Sequence, residues 1–113
     1  CASAKEEFGL AVVEALAAGL PVVAPRVGGP ATYVEHGRTG VLTDTTDVLG
    51  LATAAERALD LSAQPETAAR TRAVVEARYT LERMARSLTA VYRISAGAAT
   101  LAHAVSGETE AVA

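Results

Sequence analysis

Two carboxylates with seven residues between them, Glu6 and Glu14, flank a Phe-Gly pair in the stretch EEFGLAVVEALAAGLPVV, residues 6–23. An ionised carboxylate only accepts hydrogen bonds, and it can take two at once from hydroxyl groups. Between the two acids, Phe8–Gly9–Leu10 opens an apolar helical pattern. The first backbone N–H groups of such a helix have no partner inside it. Gly9 carries no Cβ, so a ligand can approach its backbone closely. Those N–H groups and the positive end of the helix dipole favour an anion such as a phosphate. The stretch therefore pairs a phosphate-binding helix start with carboxylates suited to sugar hydroxyls on either side of a diphosphate. The plainer reading is that Glu6 and Glu7 simply complement the helix dipole, with Glu14 on an exposed helix face.

The elements that must hold these groups follow from apolar spacing. Leu10, Val13, Leu16 and Ala17 recur at helical intervals, and Gly19 followed by Pro21 ends that helix. Residues 21–25, PVVAP, read as a short buried strand, and RVGGP, residues 26–30, as a turn. One or two helical turns are expected in ATYVEHG, residues 31–37, and a second strand in TGVLT, residues 39–43. Thr46 or Asp47 then caps a helix whose shared face is Val48, Leu51, Ala52, Ala55 and Leu59. Pro65 fits the first turn of a further helix, residues 65–79. The clearest amphipathic helix is TLERMARSLTAVYRI, with a stripe of Leu81, Met84, Ala85, Leu88, Val91 and Tyr92. The alanine-rich residues 94–113 form a tail expected to hold a short helix and to fray after Gly107. Strands separated by helical segments imply an α/β layer with a parallel sheet and C-terminal helices. Two or three strands make only part of a doubly wound domain. The opening residues, CASAKEEFG, read as the end of a strand entering a loop, so the sequence is expected to begin inside a longer polypeptide.

Composition narrows the function. The chain has 113 residues, half of them apolar, with one Phe, three Tyr and no Trp. Ala, Val and Leu must fill the core, as suits helices on a parallel sheet. Ten basic residues against thirteen acidic ones, a net charge of −3, with the basic residues dispersed, argue against nucleic-acid binding. No apolar run reaches the roughly 18 residues that suggest a membrane span. Cys1 is the one cysteine, so no internal disulfide forms, and a reducing, cytoplasmic setting is expected. His36 and His103 are isolated in sequence, and no metal site is expected. Gly28–Gly29 mark a turn.

The stretch EEFGLAVVEALAAGLPVVA resembles the donor-binding motif of retaining glycosyltransferases with the GT-B fold. Glu6, Phe8, Gly9, Glu14, Ala15, Gly19, Pro21, Val22 and Val23 all match it. The segments VGGPATYVEHGRTGVL and RYTLERMARSLTAVYR resemble the family's next segment and its closing helix, so the resemblance covers roughly residues 1–93. It implies the C-terminal part of a Rossmann-like, nucleotide-sugar-binding domain, with transfer of a hexosyl unit from a nucleoside diphosphate sugar to a hydroxyl acceptor. It implies retained anomeric configuration and no metal or other cofactor. Glu6 would contact the transferred sugar and help stabilise charge at its anomeric carbon. The N–H groups of Phe8, Gly9 and Leu10 would face the distal phosphate or the sugar, and Glu14 would hold the ribose hydroxyls.

Two residues depart from the pattern. Glu7 stands where the family often has glycine, and Thr32 where many members have a glutamate. The resemblance also implies that the diphosphate-binding Arg and Lys, and the acceptor-binding domain, lie upstream. The isolated chain is thus expected to bind nucleotide sugars weakly or not at all. The alternative is a non-catalytic α/β module of the same ancestry, used for binding or assembly, whose exposed half-sheet edge would favour self-association.

Overall fold

The computed structural model describes residues 1–44 and 47–110, with side chains to residue 97. It divides into two units, Cys1–Arg78 and Tyr79–Ala113. In the first, α1 (Leu10–Ala17) leads to β1 (Val22–Pro25), a single 3₁₀ turn (Gly29–Thr32), β2 (Gly40–Thr43), α2 (Val48–Ser62) and α3 (Thr67–Arg78). The strands are parallel, with Val22 opposite Gly40 and Val23 opposite Val41. Parallel neighbours need a crossover of a dozen or more residues. Residues 26–39 supply it with the 3₁₀ turn and a loop in place of an α-helix.

Side chains alternate across this small sheet. Val23 and Val41 face α2 and pack with Ala54, Ala58 and Leu61. Val22, Ala24 and Leu42, on the other face by alternation, are also buried. The helix α1 packs against β1, and α3 against α1.

Two apolar faces differ from the sequence expectation. In α1 the buried set is Val12, Val13 and Leu16, while Leu10 is exposed. In α2 the buried set is Ala54, Ala58 and Leu61, with Leu51 half-buried, and Val48, Ala55 and Leu59 face outward. The α2 segment is apolar on more than one side. Its alanines let the helix backbone come close to the valines of the sheet, so the small-residue stripe is the one that packs. Asp47, one of the two residues read as its cap, caps α2 by accepting the Gly50 N–H at 2.8 Å. Thr46 lies outside the described residues.

The α1 helix closes with two reversed hydrogen bonds, Gly19 N–H to Leu16 O and Leu20 N–H to Ala15 O, each 3.0 Å. The Arg72 guanidinium donates to Ala18 O at 3.2 Å, tying α3 to that end. The outer edge of β2 is engaged by the chain itself. Leu42 N–H donates to His36 Nδ1 at 3.0 Å, Leu42 O accepts from Arg26 Nη2 at 2.9 Å, and Gly37 N–H reaches Gly40 O at 2.8 Å. These polar groups on the outer edge of β2 are thus satisfied within the chain.

The second unit is α4 (Leu81–Glu110) with Tyr79 and Thr80 before it. Thr80 caps the helix, its hydroxyl oxygen accepting Arg83 N–H at 3.3 Å. The helix is continuous from the amphipathic segment into the alanine-rich stretch read as a separate tail, and it passes Gly97 and Gly107. Alanine's high helix propensity offsets the cost of each glycine, about 1 kcal/mol. Leu81, Met84, Leu88, Val91 and Tyr92 are exposed on it. No described helix is long and apolar enough to cross a membrane.

Candidate functional site

The position of the Glu6 loop is set by strand pairing. The Cys1 amino group donates to Val23 O at 2.8 Å, and Glu6 forms a parallel bridge with Gly28. Both pairs have the same sequence offset, so residues 1–6 run alongside β1 and its continuation in one register. The loop after Glu6 therefore emerges at the carboxyl end of the strands. In open α/β sheets that is where ligands bind.

The crossing between this loop and the Gly28–Gly29 turn is a contact of backbone on backbone. Gly29 N–H donates to Glu6 O at 2.8 Å. A Cβ at Gly28 would collide with the Glu6 carbonyl oxygen. One at Gly29 would lie 2.5 Å from Glu7 O and 2.6 Å from Phe8 Cα. The turn read in the sequence thus has a second duty, since both glycines let the site loop lie directly on it.

Gly9 precedes α1 at φ 82°, a left-handed conformation that glycine adopts without a Cβ penalty. Its N–H donates to Glu6 Oε1 at 3.1 Å. The carbonyl of the same peptide unit, Phe8 O, accepts from the Tyr33 hydroxyl at 2.6 Å. That hydroxyl also lies 3.3 Å from Gly9 O, which accepts the first bond of α1, from Val13 N–H. The N–H groups of Leu10, Ala11 and Val12 precede that bond and form the helix's N-terminal donor set.

Glu6, Phe8 and Gly9 are therefore brought together, with Glu6 half-buried and Phe8 partly exposed over Tyr33, ring centroids 6.2 Å apart. Leu10 follows as the first helical residue, its side chain exposed. Glu14 sits about one turn further along α1, on its exposed side. Glu7 points outward and pairs with Lys5 at 2.7 Å. An exposed pair of this kind contributes little to stability, and it gives Glu7 a local partner away from the helix start. Thr32 donates its hydroxyl to Gly29 O at 2.7 Å and so helps close the 3₁₀ turn. His36 bonds the β2 edge as described above.

Tyr33 is the residue that sequence reasoning missed. It is buried, 4% exposed, and lies 25 positions from the carbonyl that it holds. The available signal was a lone aromatic in a chain with few of them, just after a Gly-Gly-Pro turn. A groove beside α3, lined by Thr32, Glu35, Arg38, Arg70 and Arg78 among others, is a separate feature. Its arginines are engaged: Arg38 with Glu35 at 3.0 Å, Arg70 with Glu66 at 3.3 Å, and Arg78 with Thr32 O at 3.1 Å.

Residues 1–77 match a family model described as glycosyl transferases group 1. Among curated proteins, the chain is 40% identical over 91 residues to a D-inositol 3-phosphate glycosyltransferase of Corynebacterium urealyticum, covering 80% of this chain and 22% of that protein. It is 41% identical over 97 residues to the D-inositol 3-phosphate glycosyltransferase of Mycobacterium leprae, covering 84% of this chain and 23% of the relative. Over a shorter span of 50 residues it is 46% identical to an N-acetyl-alpha-D-glucosaminyl L-malate synthase of Bacillus anthracis, 44% of this chain and 13% of that protein. The chain thus spans less than a quarter of the length of these relatives. No solved structure matches it.

Proposed function

The chain belongs to the group 1 glycosyl transferases, and from that premise we propose that it carries half of the donor site of a retaining, GT-B-type hexosyltransferase. The donor is a nucleoside diphosphate sugar and the acceptor a hydroxyl compound held by a preceding domain. The reaction needs no metal, and the protein works in the cytoplasm. The three relatives named above are described as two glycosyltransferases and a glucosaminyl malate synthase, which favours sugar transfer over a non-catalytic module.

One observation carries the assignment of roles. The Glu6 loop delivers a carboxylate and the N-terminal donors of α1 to one spot at the carboxyl end of the sheet. In transfer, the acceptor hydroxyl oxygen bonds to the anomeric carbon, the bond from that carbon to the diphosphate oxygen breaks, and the hydroxyl proton passes to the departing diphosphate. Positive charge develops on the sugar and negative charge on the departing diphosphate. Glu6 suits the first, accepting sugar hydroxyls beside the anomeric centre. The helix start at Gly9–Leu10 suits the second, because its N–H groups and dipole are fixed before the charge appears. Phe8 supports that start through its carbonyl and ring. Glu14 accepts the ribose hydroxyls from the exposed side of α1.

The test is transfer and nucleoside diphosphate release by the native protein with Glu6→Ala and with Glu14→Ala. Glu6→Ala is expected to lower kcat by about a hundredfold or more, the scale of losing one transition-state electrostatic partner. Glu14→Ala is expected to raise the donor KM with a smaller change in kcat, as for a group that binds ground and transition states alike. Undiminished activity in both variants would sink these roles.

A further inference from the structure

The Phe8–Gly9 peptide is gripped at both ends by side chains. Its N–H is bound to Glu6 Oε1 and its carbonyl to the Tyr33 hydroxyl. The two grips differ in kind. Glu6 is half-buried, on a loop, with its other oxygen 4.0 Å from Cys1 Sγ. Tyr33 is buried, its backbone N–H bonded to Pro30 O at 3.2 Å and its ring against Phe8.

Resting on the donor-site reading above, we propose that Tyr33 is a positioning residue that keeps the Gly9 N–H aimed at the donor when Glu6 releases it. Glu6 holds Gly9 through Oε1, and a sugar hydroxyl bound at that oxygen competes with the Gly9 N–H. When its carboxylate turns to the sugar, the Gly9 N–H becomes free to meet the distal phosphate. Glycine tolerates both signs of φ, so the plane before it turns over at little steric cost. A turned plane would present the Phe8 carbonyl, an acceptor, to an anion. The Tyr33 hydroxyl opposes this, since turning over would break its 2.6 Å bond and leave a buried hydroxyl without that acceptor. The carboxylate is thus the exchangeable partner and the phenol the permanent one.

The experiment measures steady-state transfer by the native protein, with UDP-glucose, UDP-N-acetylglucosamine and GDP-mannose tried in turn as donors. Three variants are compared: Tyr33→Phe, Val34→Ala and Glu6→Gln. Tyr33→Phe keeps the ring and removes only the hydroxyl, and it is expected to lower kcat about tenfold. Val34→Ala removes packing from the neighbouring buried side chain, which is 5% exposed. It is expected to lower the melting temperature while retaining wild-type kcat. Glu6→Gln should slow transfer strongly. A slow Glu6→Gln beside a wild-type kcat in Tyr33→Phe would overturn the positioning role alone. So would an equal loss of kcat in Val34→Ala. A Glu6→Gln protein with wild-type kcat would overturn the donor-site reading, and this proposal with it.

Discussion

Gly29→Ala is a sharp test of how the candidate site is held. Gly29 lies outside the left-handed region, so alanine is compatible with its backbone conformation. In open space such a change stabilises a protein by about 0.4–1 kcal/mol, through the unfolded chain. Here the added methyl would sit 2.5 Å from Glu7 O, 2.6 Å from Phe8 Cα and 2.8 Å from Phe8 O. All three are backbone atoms, so no side chain can swing aside. Relief to an ordinary contact of about 3.5 Å moves the Glu6–Phe8 loop by about 1 Å. Overpacking on that scale costs about 1–3 kcal/mol. Stretching the 2.8 Å bond from Gly29 N–H to Glu6 O adds about 1 kcal/mol. The net destabilisation is therefore about 1–3 kcal/mol.

The functional cost should exceed the structural one, because the displaced loop carries Glu6 and the Gly9 peptide. A shift of about 1 Å in a positioned group can lower turnover by about a hundredfold. The assay pairs the thermal midpoint of the native protein with its kcat/KM for the donor. Gly97→Ala in α4 is the control, since its Cβ would meet nothing within 4 Å, and it should be neutral or stabilising with full activity. A Gly29→Ala protein with a raised midpoint and wild-type kcat/KM would refute the reasoning.

Three further substitutions test the packing and capping of α2. Ala54→Leu should destabilise by about 1–3 kcal/mol by overpacking α2 against the sheet, whereas Ala55→Leu, on the exposed face, should change the unfolding midpoint little; equal effects would restore the other face. Asp47→Ala should cost about 1 kcal/mol by removing the acceptor for Gly50 N–H at the start of α2, read as a lower midpoint in denaturant.

What the sequence revealed depended on the range of the physics involved. Both strands were legible from short β-branched or apolar runs between Pro and Gly, since that signal is local. The same holds for the end of α1 at Gly19 and the cap at Asp47. The faces of α1 and α2 were less so, because alanine-rich helices are apolar on several sides and periodicity alone does not choose among them. The choice falls to what lies opposite, and Ala54 and Ala58 win because valines of the sheet come close to them. Tyr33 stood out in the sequence only as a rare aromatic after the Gly-Gly-Pro turn, and its role was not legible, because its partner is a backbone carbonyl 25 residues away. No residue type announces such a bond.

The register of the opening segment gives a physical reason why Glu6, and not its neighbour Glu7, reaches the helix start. Successive residues of an extended segment point to opposite sides, so a slip of one residue would exchange Glu6 and Glu7. Three features oppose that slip. The Cys1 amino group and the Glu6–Gly28 bridge hold the same offset along β1. Gly28 has no Cβ at the point where the Glu6 carbonyl lies. Gly29 N–H captures that carbonyl. With this register Glu6 reaches the Gly9 N–H, and Glu7 turns to Lys5 and solvent. The Gly-Gly turn, which read as a simple chain reversal, is thus what distinguishes the two carboxylates. Selectivity for Glu6 resides in a pair of residues with no side chains of their own.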